Sequence, residues 1–279
     1  MSINFSPFFL SSGSGSLFCA YYPVPELSDA EFSATEVVIH LPAFVEEMNK
    51  SRRMVSLQAQ ALASAGTASL VIDLFGTGDS EGDFSEARWP LWKQNLQSAV
   101  GWLQDKGYKK ISFSALRLGG LLALDVIDTS ADEFEKLIWW QPVISGETHL
   151  MQFLRLRVAA AMFSNSDDEK ETTKILRERL SAGEVIEVAG YDIHPELANA
   201  LIEQTAKNFE KPALNQINLI ELVANADKKL SPPVAKLADG WSQVGLNTSA
   251  ETLKGDPFWS TQEISICPEL IEWTTAKFK

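Results

Sequence analysis

Residues 112–120 read SFSALRLGG and join two kinds of pattern. Upstream, KKISFSA (109–115) alternates polar and apolar residues as a strand does, and downstream LGGLLALDVID (118–128) places apolar residues at helical spacing. The chain therefore passes from strand to helix within about two residues, and such a turn thrusts one side chain out at the carboxyl edge of a sheet, where ligands of open α/β sheets bind. That side chain is Arg117, followed by Leu118 at the helix start. Free N–H groups at a helix N-terminus favour an anion. A guanidinium cannot serve as nucleophile or general base near neutral pH, but it can hold a carboxylate or phosphate through two donors. The competing reading is an internal ion pair with Glu46, Glu47 or Asp227, because a buried unpaired charge costs several kcal/mol.

Outward from this turn the same alternation repeats. LFCAYYP, EVVIHLPAF, ASLVIDLFG, KKISFSA and KLIWWQPVI read as strands, with helical patterns in SRRMVSLQAQALASAG and PLWKQNLQSAVGWLQDKG between them. Short apolar strands separated by helices predict an α/β fold: a mostly parallel sheet with helices on both faces. SSGSGS (11–16) reads as a turn before the first strand. Past residue 148 the rhythm breaks: HLMQFLRLRVAAAMF is a basic amphipathic helix, DDEKETTKILRERLSAG is charged, and EVIEVAGYDIHPEL reads as a hairpin or turn. We divide the chain into a core over 1–148, an inserted cap over 149–212 and a second core part over 213–279. In that second part INLIELVANAD and TQEISICPELIEWTTAKF are expected to resume the sheet.

The chain has 279 residues, 45% hydrophobic, with a formal charge of −13. That charge argues against a nucleic-acid surface and against docking on anionic lipid. No apolar run approaches a membrane span of ~18 residues, and the N-terminus lacks the basic segment and apolar core of a secretory signal. A cytoplasmic protein is expected. Cys19 and Cys267 are far apart and have no metal-ligand spacing, so two buried thiols are expected, with no metal and no cofactor.

Several residues could carry chemistry. DLFGTGDSEGDF (73–84) spaces Gly76, Gly78, Ser80 and Gly82 in a tight loop. It lacks the lysine of a nucleotide-binding P-loop, so loop shaping competes with ligand contact by Ser80. Trp89 lies near enough to line a pocket with Trp92. Trp139 and Trp140, adjacent on a strand, must face opposite sides of the sheet.

The motifs PAFVEEMNKSRRM (42–54), DLFGTGDSEGDF, LRLGGLLAL (116–124), WWQPVISGETHLMQFLRLR (139–157), GEVIEVAGY (183–191) and DPFW (256–259) cover most of the chain. On these the protein resembles the α/β-hydrolase superfamily, and within it the exosortase A system-associated hydrolase 2 family. The resemblance implies an α/β-hydrolase fold and a hydrolase label. It also implies a place beside exosortase, PEP-CTERM sorting and exopolysaccharide biosynthesis, with proteins of those systems as partners. In that fold a serine within G-x-S-x-G occupies the strand-to-helix elbow. Here the pentapeptide is Ala115-Leu116-Arg117-Leu118-Gly119. The oxyanion loop maps onto His40-Leu41-Pro42 and beyond, with Phe44 or Val45 as backbone donor. The triad acid maps to Asp227. The histidine would follow the last strand, where the chain reads Ile266-Cys267-Pro268-Glu269, and none of His40, His149 and His194 comes after Asp227. Cys267 could replace the nucleophile only beside a cation that lowers its pKa, and Arg117 is the one positional candidate. His149 and His194 read as cap residues. The expected occupant of the site is an anionic small molecule, contacted by Arg117, Leu118, His40, Phe44, Glu46, Glu47, Ser80 and Trp89. A working hydrolase of an ester or acylated sugar, and a non-catalytic partner of the export machinery, are the alternatives.

Overall fold

The computed structural model describes residues 5–24, 35–163, 171–209 and 213–278. An eight-stranded sheet runs in the order β1-β2-β4-β3-β5-β6-β9-β10. Its strands are β1 (Ser6–Ser12), β2 (Gly15–Tyr22), β3 (Glu36–Leu41), β4 (Ala68–Ile72), β5 (Lys110–Leu116), β6 (Phe134–Trp140), β9 (Leu214–Val223) and β10 (Asn247–Lys254). The pairs β1–β2 and β2–β4 are antiparallel and the rest parallel.

Helices cover both faces. α1 (Glu46–Ser64) and α8 (Pro268–Ala276) lie on one, where Met54 and Leu270 pack on Ile138 and Trp140. On the other, α2 (Trp89–Asp105), α3 (Gly119–Thr129) and α7 (Pro232–Gln243) bury Leu96, Leu121 and Trp241 in the larger core. Pro90 and Pro232 stand in the first turns of α2 and α7, where a missing N–H costs nothing. Trp139 and Trp140 enter the two different cores, as strand alternation requires.

Between β6 and β9 the chain leaves the sheet. It forms α4 (Gly146–Phe163), α5 (Thr173–Ser181), the hairpin β7 (Ile186–Val188) and β8 (Tyr191–Ile193), and α6 (Pro195–Glu203). Part of the charged stretch, residues 164–170, lies outside the described residues. This inserted segment touches the rest at Arg88–Glu196 (2.9 Å) and at Tyr191, whose ring meets Phe84 edge-on.

Two sequence expectations are corrected. SSGSGS does not precede the first strand; it turns between β1 and β2, and β1 is a largely exposed edge strand whose apolar run is only Phe8 to Leu10. The last strand is not in TQEISICPELIEWTTAKF. It is the polar NTSAETLK of β10, whose edge position leaves both faces half exposed, while residues 261–267 form no strand. Among the described residues no helix is long and apolar enough to cross a membrane.

Candidate functional site

Arg117 sits where β5 ends and α3 begins, with φ at 54°, a left-handed conformation that a non-glycine residue adopts only when its surroundings enforce it. The bracing is visible. Its N–H donates to the Trp140 carbonyl (2.9 Å), and its carbonyl accepts from the Trp139 indole (2.7 Å). Close approach is obligatory at Gly119, where an added Cβ would lie 2.6 Å from the Pro42 carbonyl oxygen. Backbone cannot retreat as a side chain can, so Gly119→Ala is expected to lower unfolding free energy by about 2 kcal/mol. Urea denaturation checks this; a neutral result would mean the elbow is loosely held.

The Arg117 guanidinium turns toward α1. Nε and Nη2 both approach Glu47 Oε1, at 3.1 and 3.0 Å, and the side chains are 17% and 21% exposed. Trp259 covers it from another side, with Cζ 5.7 Å from the ring centre. Glu47 Oε2 faces His149 Nε2 at 3.9 Å, beyond hydrogen-bond range. Burial, with Arg117 adding to it, lowers the His149 pKa to about 3, so the ring is neutral and the contact is no ion pair. Burial also raises the Glu47 carboxyl above its ordinary range, against the pull of Arg117. Glu47 Oε2 and both His149 ring nitrogens are buried without hydrogen-bond partners among the described residues. Each such orphan costs about 1–3 kcal/mol, so three in one place mark an incomplete polar network.

Beside the elbow is a cavity of about 20 Å³, room for little more than one water. Phe44, Val45, Leu118, Gly119, Trp89 and Trp92 are among its walls. The N–H groups of Phe44, Val45, Leu118 and Gly119 donate to no other described residue. Val45, a β-branched residue with φ at 45°, adds a second strained position. Phe44 meets His149 and Phe153 edge-on, tying the loop after β3 to α4.

The remaining sequence candidates fall elsewhere. Glu46 is exposed and accepts from Asn49 and Tyr191. Ser80 is consumed by the glycine loop, donating to the Asp73 carbonyl and accepting from the Phe18 N–H, so a ligand role is replaced by a structural one. At Gly78, with φ at +57°, a Cβ would strike Asp73 and Arg52, which explains the glycine without a phosphate. Trp89 ties its indole to Asp125 while its ring lines the cavity. His40 is buried under α1 and lines a different cavity. Asp227 is exposed in the turn after β9 and makes no ion pair with Arg117; of the three proposed partners only Glu47 does. Cys267 caps α8, buried in the smaller core, and burial with Glu269 beside it raises its pKa. No cation among the described residues pairs with the thiol to lower it. His194 caps α6, accepting from the Glu196 N–H. Arg157 is taken by Glu171, and Arg155 is exposed. Two neighbours of Arg117 were missed: His149, which shares a helical face with Phe153 four residues on, and Trp259.

The sheet order, the elbow after β5 and the insertion after β6 decide the fold. This is the α/β-hydrolase fold. The chain is similar to the solved structure of Est1E from Butyrivibrio proteoclasticus with ferulic acid bound, at 14% identity and a TM-score of 0.61, covering 98% of this chain and 96% of that one. It is also similar to the esterase Pf2001 from Pyrococcus furiosus (16%, TM-score 0.60, 99% and 90% covered). An α-β serine hydrolase homologue from Coxiella burnetii aligns as well (12%, TM-score 0.58, 98% and 97%). No protein-family model matches the chain, and no curated protein matches it by sequence.

Proposed function

We propose that this α/β-hydrolase-fold protein binds a small carboxylate or phosphate at the elbow and does not carry out serine-dependent hydrolysis. The observation that carries the reading is Arg117 itself: it stands where the fold puts its nucleophile, fixed by Glu47 through one edge, with Nη1 free of described partners. The orphaned Glu47 and His149 atoms beside it are what a ligand or water would complete. The cavity beside the elbow has room for little more than one water, so binding of a larger ligand requires its walls to move apart. The motif resemblance supports a ligand and partners drawn from an exosortase-linked exopolysaccharide system.

Ferulate, named for the Butyrivibrio structure, is a suitable probe because it joins a carboxylate to an aromatic body that suits the Trp- and Phe-lined walls. Calorimetry is expected to show saturable binding, weakened about tenfold or more in Arg117→Lys, which keeps the charge but loses the planar fork. Methyl ferulate is expected to persist unhydrolysed. Full affinity in the lysine variant would overturn the role of the arginine. A second reading rests on the facing of His149 and Glu47: a working hydrolase in which this pair activates water. It requires ester turnover that disappears in His149→Phe.

A further inference from the structure

A second, larger cavity of about 200 Å³ lies under α1, between that helix and strands β2, β3 and β4. Ala20 and Tyr22 of β2, Val71 of β4, and Met48 and Val55 of α1 give it apolar walls. His40 is among the lining residues, but its Nε2 is enclosed and does not reach the space. Asp73 and Arg52 also line the cavity, and they pair at 2.8 Å between Oδ2 and Nη2. Oδ2 accepts the Asp79 N–H as well, and the backbone at Gly78 closes over the joined atoms so tightly that a Cβ there would strike both. The rest of the pair is unspent: Asp73 Oδ1 and Arg52 Nε and Nη1 have no hydrogen-bond partner among the described residues. Asp73 is 3% exposed, yet Oδ1 is not enclosed as His40 Nε2 is, so its accessible edge is the one facing the cavity.

A carboxylate oxygen facing apolar walls without a donor is costly, and so is an apolar space of this size left unfilled. An arginine–aspartate pair joined through one N–H···O contact presents a spare acceptor and spare donors side by side. Its net charge is zero, so a ligand carboxylate would meet the Asp73 charge and a ligand ammonium the Arg52 charge. A neutral group that donates and accepts from adjacent atoms meets neither repulsion. We propose that this cavity binds a small primary carboxamide, its N–H donating to Asp73 Oδ1, its carbonyl accepting from Arg52, and its apolar body filling the space under α1. Size follows from the volume, since a cavity of about 150 Å³ holds a benzene ring. The Arg52 side chain is 39% exposed, which sets the polar head at the solvent side of the cavity and the apolar body inward. The site does not depend on how the elbow is read.

Benzamide, toluene, benzoate and benzylammonium test it, being close in size and differing in the head group. The quantity compared is the binding that Val55→Trp removes by filling the space from α1, which sets aside any benzoate held at the elbow. Calorimetry on the full chain is expected to give saturable benzamide binding, about tenfold tighter than toluene and tighter than either ion. Arg52→Met leaves the Asp73 carboxylate unbalanced and should reverse the order, with benzylammonium now the tightest. A crystal structure of the unmutated protein with benzamide needs no variant, and should show the amide between Asp73 Oδ1 and the Arg52 guanidinium. Five results would each overturn the proposal: no saturable benzamide binding, toluene or either ion bound as tightly as benzamide, benzamide binding that survives in a folded Val55→Trp protein, an order unchanged in a folded Arg52→Met protein, or an amide seated elsewhere.

Discussion

Glu47→Ala is expected to destabilise the fold by about 3 kcal/mol, the lower end of what breaking a buried ion pair costs. Removing the carboxylate leaves the Arg117 guanidinium with the Trp259 face and no anion among its described partners. The side chains are 17% and 21% exposed, so water repays part of the loss, and this sets the figure at the lower end. Arg117→Met is expected to cost less. The carboxyl it abandons already has a raised pKa from burial and can take up a proton, which an arginine cannot release. The double variant Glu47→Leu/Arg117→Met removes both charges and should sit closer to the parent than Glu47→Ala does. Urea unfolding of the variants measures this. A Glu47→Ala effect below about 0.5 kcal/mol would place the pair among surface salt bridges and remove the bracing role assigned to it.

The parallel sheet was legible because its central strands are largely buried and carry short apolar runs or an alternation of period two. β10 escaped because an edge strand carries polar, half-exposed faces, which erase the pattern, and β1 because its apolar run is only Phe8 to Leu10. The elbow was legible for a different reason: strand and helix patterns meet within about two residues at Arg117, and the pentapeptide Ala115–Gly119 matches the position of G-x-S-x-G. Its environment was not. Glu47 lies 70 residues away in sequence, and nothing local distinguishes it from Glu46, its exposed neighbour. His149 looked like a helix residue of the inserted segment, and only the docking of α4 on Phe44 turns its ring toward Glu47. Placing the final strand at residues 261–267 drew attention to Cys267. With β10 ending at Lys254, the connection to α8 spans residues 255–267, and Trp259 of that loop, not Cys267, reaches the elbow.

The largest effect expected is on stability against acid. Burial lowers both His40 and His149 from an ordinary pKa of 6.5 to about 3. Between those values the unfolded chain binds protons at both rings and the native protein does not. Stability therefore rises with pH through this window, is fully present above pH 6.5, and is lost as pH falls toward 3. Each ring contributes up to about 1.4 kcal/mol per pH unit. Glu47 works the other way, since its raised pKa makes the native state the better proton binder above 4.5. Glu171 and Glu251, held below the ordinary carboxylate range, lose their contribution only below pH 4.5. The interval from pH 4.5 to 6.5 thus opposes two histidines to one carboxylate, and the net slope is expected to be positive. Urea unfolding at half-unit steps from pH 4.5 to 7.5 reads it directly. His40→Phe and His149→Phe should each flatten the slope by about 1.4 kcal/mol per unit at most, and the pair together should leave it flat or reversed. His149→Phe differs from His40→Phe in one respect. It leaves Arg117 and Glu47 without their neutral neighbour, so its ferulate affinity should change, while that of His40→Phe should not. An acid slope that persists unchanged in both variants would show that neither ring is held neutral by the fold.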